Sequence, residues 1–288
     1  MFTRIVTKAF LGCALLLCMP AQAEQTKNHE YILSYDVYAG GMHALSATYN
    51  KKNTNGTYKA SITAETNGFI GTLFPWTATY ESHGNVDGTS FTPKHHKSTS
   101  TWKKDQKIKD IYFQDGAITK VAVTEHKKTI ENKKLKPDLT TDAVDLLSAT
   151  LSAFEKLNVQ DDCKAETIAF DGKRKFKIKL SGGEKVTMQK SRYSTFSGDA
   201  LKCTLTVEPI AGFKEKDQKR GWMAVQNHTK EHGKAPAIWL AKLEDNGPMV
   251  PVRMQIASSY GAAIAHLSNI SIPSLQLIEA AAGDMTEE

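Results

Sequence analysis

Apolar and polar residues alternate with a period of two along most of this chain. That pattern predicts a mainly β protein: an antiparallel curved sheet forming a barrel or half-barrel, with one packed α-helix at about 140–157. Two further observations support it. Pairs such as Gly40-Gly41, Asp115-Gly116 and Asp171-Gly172 punctuate the alternating runs, and a two-residue hairpin loop favours residues that tolerate positive φ. About a dozen strands are expected, too many for one flat twisted sheet, so their apolar faces must be buried by curling or stacking. A β-sandwich is the alternative solution.

The first 23 residues read as a leader. Arg4 and Lys8 precede an apolar stretch from Ala9 to Met19, Pro20 breaks it, and Ala21-Gln22-Ala23 supplies the small-x-small pattern cut by signal peptidase. The stretch is shorter than the roughly 20 apolar residues of a membrane-spanning helix. Cys18 follows the bulky Leu17 and Cys13 comes too early, which argues against lipidation. Cleavage after Ala23 and export to a bacterial periplasm are therefore expected, with no transmembrane anchor. Loss of Arg4 and Lys8 leaves 35 of the 37 basic residues against 31 acidic ones. This mild excess is scattered along strands and forms no nucleic-acid-binding stripe.

Residues 24–273 are expected to form a single β-rich domain. Tyr31, Leu33, Tyr35 and Val37 share one strand face, and Tyr58, Ala60, Ile62 and Ala64 another. Phe69, Phe74, Trp76 and Tyr80 form an aromatic run read as a candidate lining for an apolar ligand cavity, with plain core as the alternative reading. Pro75 between them marks an edge or bend. Val144, Leu147, Leu151 and Phe154 recur at helical spacing between Thr140 and Leu157, with Asp142 and Asp145 near the positive N-terminus. This helix should pack on the curved sheet or plug it.

After Asp171-Gly172, Phe176, Ile178 and Leu180 alternate with lysines, and Cys203 lies on one apolar face with Leu201, Leu205 and Val207. Cys163 and Cys203 are the two cysteines left once the leader is gone. In an oxidising compartment an even pair predicts a disulfide, against the alternative of two free buried thiols. Residues 213–236 read as a polar, basic, solvated insertion. Val250, Val252, Met254 and Ile256 lead through Tyr260-Gly261 into a last strand, and 274–288 reads as a flexible tail.

No motif supports catalysis or a bound metal. His228-Thr229-Lys230-Glu231-His232 spells H-x-x-E-H, whose zinc chemistry requires a rigid, dry helix, whereas its surroundings here read as a polar loop. His95 and His96 are adjacent and should point to opposite strand faces. Ser148 lacks the G-x-S-x-G elbow that exposes a hydrolase serine. Asp142 and Asp145 read as helix-terminus stabilisers rather than a catalytic pair. No cofactor is expected.

Tyr35-Asp36-Val37-Tyr38-Ala39-Gly40-Gly41, Gly68-Phe69, Pro93, Asp145-Leu146-Leu147-Ser148, Phe170-Asp171-Gly172, Lys202-Cys203, Pro251-Val252-Arg253 and Tyr260-Gly261 occur in this order along the chain. In these segments it resembles the bacterial domain-of-unknown-function 3108 family of exported proteins; residues 214–234 are less family-like. The resemblance implies a mostly antiparallel β protein and brings no activity, cofactor or catalytic residue with it. The functional expectation is a non-enzymatic, soluble periplasmic protein that binds an apolar or amphipathic ligand, a lipid or envelope component, in a β cavity. The alternatives are an envelope scaffold or assembly factor working through protein contacts and, less favoured, a hydrolase or metalloenzyme.

Overall fold

The structure, a computed structural model, describes residues 29–273 apart from 216, 218–220, 246 and 259–260. The leader with its cleavage site, Tyr260 and the tail at 274–288 lie outside the described residues. Eight strands come first: β1 (His29–Ala39), β2 (Met42–Thr54), β3 (Thr57–Thr66), β4 (Trp76–Asp87), β5 (Ser90–Trp102), β6 (Asp105–Gln114), β7 (Ala117–Glu125) and β8 (Lys128–Asn132). A short helix, α1 (Gly68–Leu73), interrupts them after β3. Then follow α2 (Pro137–Thr140), the two-residue β9 (Val144–Asp145), α3 (Leu146–Gln160), β10 (Ala165–Phe170), β11 (Lys175–Met188) and β12 (Gly198–Ala211). Helix α4 (Gly221–His232), β13 (Ala237–Lys242), β14 (Met249–Ser258) and β15 (Gly261–Ser271) are the last elements of the described residues.

All fifteen strands among the described residues belong to one sheet, ordered β8-β7-β6-β5-β4-β3-β2-β1-β15-β14-β13-β12-β11-β10-β9. Every neighbouring pair is antiparallel except β9 with β10. The protein is thus mainly β, a single curved sheet and not a sandwich. The sheet does not close by hydrogen bonding, since β8 and β9 are its two free edges. Its ends meet through side chains instead: Ile111, Phe113, Ile118 and Val121 of β6 and β7 pack on Ala143 and Phe170. Lys109 Nζ also donates to the Asp171 carbonyl across this seam.

The alternation sets the walls. Tyr31, Leu33 and Tyr35 are buried, as are Phe176, Ile178 and Leu180, while Lys177 and Lys179 on the opposite face pair with Glu166. Gly40-Gly41 and Asp115-Gly116 turn with positive φ at both positions, as two-residue loops require. Asp171-Gly172 makes a wider turn: only Gly172 is left-handed, and Asp171 Oδ1 accepts from the Lys173 and Arg174 amides at 2.9 and 2.8 Å.

At Gly84 a bulge shifts the register between β4 and β5. A Cβ there would strike the Thr92 carbonyl and come within 2.7 Å of Pro93 Cα. Both obstacles are backbone, so Gly84→Ala should lower stability by about 1–3 kcal/mol. Denaturant unfolding checks this, and an unchanged midpoint would show that the strand pair relaxes freely.

Two elements differ from the sequence expectation. The long helix is Leu146–Gln160 rather than 140–157. Asp142 is left-handed, and Val144 and Asp145 pair with Ala169 and Phe170 of β10, so the chain is extended where the apolar spacing looked helical. The segment 213–236 is not simply a solvated loop, because half of it is α4, held against the sheet by Gln226, whose side-chain amide exchanges hydrogen bonds with the Val207 backbone.

Candidate functional site

Helix α3 lies inside the curved sheet and is pinned at three points along its length. At its start, Asp145 is fully buried in an extended N-cap conformation. Its Oδ1 accepts the Leu147 and Ser148 amides at 3.0 Å each and the Ser82 hydroxyl at 2.6 Å. Its Oδ2 accepts the Ser148 hydroxyl at 2.5 Å. With the Ser148 proton committed there, Tyr58 OH donates to Ser148 Oγ, 2.5 Å away. With the Ser82 proton likewise committed, His96 Nδ1 donates to Ser82 Oγ at 2.8 Å and stands 3.1 Å from Asp145 Oδ1. Burial alone would push the Asp145 carboxyl up; the hydrogen bond and charge of His96, with the hydroxyls of Ser148 and Ser82, outweigh it and hold the group below the usual carboxylate range.

This cluster contains the residue types of a hydrolytic triad but the wrong connectivity. Both serine protons go to the carboxylate rather than to the imidazole, and neither serine is accessible. A nucleophile must hand its proton to a base, so the arrangement is a pin for the helix. Asp145 fills the terminus-stabilising role read from the sequence, whereas Asp142 sits outside the helix in a left-handed turn.

Midway, Lys51 Nζ pairs with Glu155 Oε1 at 2.9 Å and lies 5.0 Å over the Phe91 ring. Just past the helix end, Cys163 and Cys203 form the expected disulfide, with Cα atoms 5.6 Å apart, tying this end of the plug to β12.

With α3 filling part of the interior, a cavity of about 810 Å³ remains between it and the walls. Its lining is overwhelmingly apolar: Val37, Ile62, Leu151, Phe154, Phe176 and Leu205 are typical. Tyr35, Tyr49 and Tyr80 also face it, and burial pushes their phenols up, so they stand there as neutral groups. One side is basic. Lys107 and Lys109 share a face of β6, and Arg174 lies opposite with Asp171. Phe213, Trp222 and Met223 complete the lining, so the segment read as a solvated insertion covers the cavity. The Trp222 indole N–H is buried without a hydrogen-bond partner among the described residues.

Of the four aromatics singled out in the sequence, Tyr80 lines this cavity and Phe69, Phe74 and Trp76 do not. Phe69 and Phe74 belong to α1 and its C-cap and are 68% and 49% exposed. Trp76 instead donates its indole N–H to Ser100 Oγ at 3.0 Å. The cavity lining is set by inward positions of strands far apart in sequence, which a local run of aromatics does not reveal.

His95 and His96 point to opposite faces. His96 is buried against Ser82, and His95 pairs with Asp110 at 2.9 Å and packs on Tyr112. His228 and His232 do lie on a helix, with rings stacked at 4.1 Å, contrary to the loop expectation. Glu231 and His232 are exposed, and no group of three metal-ligating side chains occurs among the described residues.

Comparison with known proteins gives a family and distant similarity to solved structures. The family described as "Protein of unknown function (DUF3108)" matches residues 34–268. No curated protein matches. A solved structure similar to this chain is a crystal structure described as a beta-barrel-like protein of domain of unknown function DUF1849 from Brucella abortus. It shares 14% identity over 85% of this chain and 97% of the other, with a TM-score of 0.41.

Proposed function

The chain belongs to the DUF3108 family, and from its geometry we propose that it is an exported, non-enzymatic binding protein that holds an amphipathic ligand in the cavity beside α3. The observation that carries this reading is the cavity itself. Its volume of about 810 Å³ falls within the range of small-molecule sites, and its walls are apolar with a few grouped polar atoms. Apolar walls favour an acyl or other hydrocarbon body by removing its surface from water. Lys107, Lys109, Arg174 and the Trp222 indole N–H, which has no hydrogen-bond partner among the described residues, supply donors for an acidic headgroup. The leader read from residues 1–23 and the Cys163–Cys203 pair both suit an oxidising periplasm.

The test is ligand binding with and without the cavity. Ala47 on β2 faces the space, and Ala47→Trp fills part of it. Displacement of a fluorescent fatty acid should weaken by roughly tenfold or more, an affinity change worth about 1.4 kcal/mol or more. Far-UV dichroism and melting temperature should remain close to those of the parent. Equal affinity in the two proteins would place the ligand elsewhere, and no binding by either would remove the carrier reading.

A further inference from the structure

Each antiparallel hairpin reverses the chain, so the turns at 40–41, 103–104, 126–127 and 171–174 all lie at one end of the sheet. Helix α1, between β3 and β4, and the connection carrying α4, between β12 and β13, lie at that end too. This is also the end at which Lys107, Phe213 and Trp222 line the cavity.

Nine large apolar residues are exposed among the described residues, and five of them, Met42, Phe69, Leu73, Phe74 and Trp102, gather where β2 to β5 reach this end. They form one surface. Phe74 and Trp102 have ring centroids 6.3 Å apart, the Lys103 amide donates to the Pro75 carbonyl at 3.0 Å, and the Asn67 amide donates to the Ala44 carbonyl, also at 3.0 Å, tying α1 to β2. Isolated exposed apolar residues are ordinary, but a grouped set marks an interaction surface.

The charge beside this patch narrows the partner. The two neighbouring turns carry Lys103, Lys104, Lys107, Lys127 and Lys128 against Asp105 and Glu125. Lys107 pairs with Glu125. Lys103, Lys104, Lys127 and Lys128 are exposed and make no ion pair among the described residues. Aromatic rings with a polar edge settle at the headgroup level of a bilayer, and lysines beside them are drawn to anionic lipid.

We propose that this end docks on an anionic membrane surface, with Phe69, Leu73, Phe74 and Trp102 entering the headgroup region and the turn lysines contacting lipid phosphates. The docking would bring the end of the cavity lined by Lys107, Phe213 and Trp222 to the bilayer. The inference deepens the carrier reading and rests on it for its purpose, while its own evidence is the exposed rim.

The experiment is co-sedimentation of the processed protein, as its cell makes it, with vesicles of phosphatidylethanolamine and phosphatidylglycerol, and with vesicles of phosphatidylcholine alone. The parent should bind the anionic vesicles and release them at high salt. Phe69→Ser/Phe74→Ser/Trp102→Ser should reduce binding by about tenfold or more, and so should Lys103→Glu/Lys104→Glu, which alters only an exposed turn. Neither variant should change fatty-acid affinity in solution, because none of the five substituted residues lines the cavity. Equal binding of both variants and the parent to anionic vesicles, or no binding by the parent, would overturn the proposal. Concentration-dependent dimerisation abolished by the aromatic substitutions would overturn it in favour of a second copy of this chain. The solution titration is independent of vesicles and decides the carrier reading separately.

Discussion

Replacing Asp145 by alanine is expected to remove about 3–5 kcal/mol of folding stability, the range seen when one member of a buried charged network is deleted. The carboxylate accepts two backbone amides and two hydroxyls and lies beside His96, all away from solvent. Alanine leaves every one of those groups to lose its partner in a dry interior, where each unsatisfied group costs about 1–3 kcal/mol before relaxation. It also removes the N-cap of α3, an effect of about 1 kcal/mol by itself. Urea unfolding measures the difference, and a loss below about 1 kcal/mol would mean that the network is reorganised without cost.

Asp145 also gives the acid dependence a sign. Its folded carboxyl titrates below the unfolded value of about 3.9. As pH falls, the unfolded chain therefore takes up that proton first. The stabilisation is complete above about pH 4 and disappears as pH descends through the folded value. Asp145→Asn, which cannot titrate, should show a shallower loss of stability between neutral pH and about pH 3 than the parent. Parallel curves for the two proteins would assign the acid sensitivity to other carboxylates.

The second large effect is expected at the other end of the same helix. Cys163 and Cys203 are 40 residues apart in sequence, and closing a loop of that length restricts the unfolded chain by about 4 kcal/mol on the entropic account. The double substitution Cys163→Ala/Cys203→Ala should lower the melting temperature by roughly 10 °C, given the entropy of unfolding of a chain this size. Reduction of the parent should reproduce the loss in large part. A double variant that melts with the oxidised parent would show that the packing around Ala165, Leu180, Leu201 and Leu240 is sufficient to seat this end of the plug.

Much of this architecture was legible in the alternation. The inward sets Tyr31, Leu33, Tyr35 and Phe176, Ile178, Leu180 are the walls, and Cys203 faces its partner as the pattern requires. The start of α3 was not legible. Val144 stands three residues before Leu147 and so fits a helical stripe, yet its backbone is recruited by β10, and tertiary pairing overrides local spacing. Helix α4 was hidden for a related reason. Trp222 and Met223 are adjacent in a basic stretch and give no long amphipathic period, so the helix depends on the sheet it lies against.

The cavity lay further from reach. Period two tells which residues point inward, but the space left between them depends on how α3 fills the middle, a relation among residues more than 100 positions apart, such as Lys51 and Glu155. The Asp145 cluster was half visible: its helix-end position showed in the sequence, while Ser82, His96 and Tyr58 arrive from other strands.

The unpaired ends of the sheet bear on what such a wall can hold. A fully bonded barrel has its girth fixed by strand number and stagger. Here the circumference is completed by the packing of Ile111, Phe113 and Phe170, with no ladder of hydrogen bonds between the two sheet edges. Strand number and stagger alone then do not fix its girth. For the amphipathic ligand proposed above, such a split ring favours tolerance of different widths over an exacting fit to one.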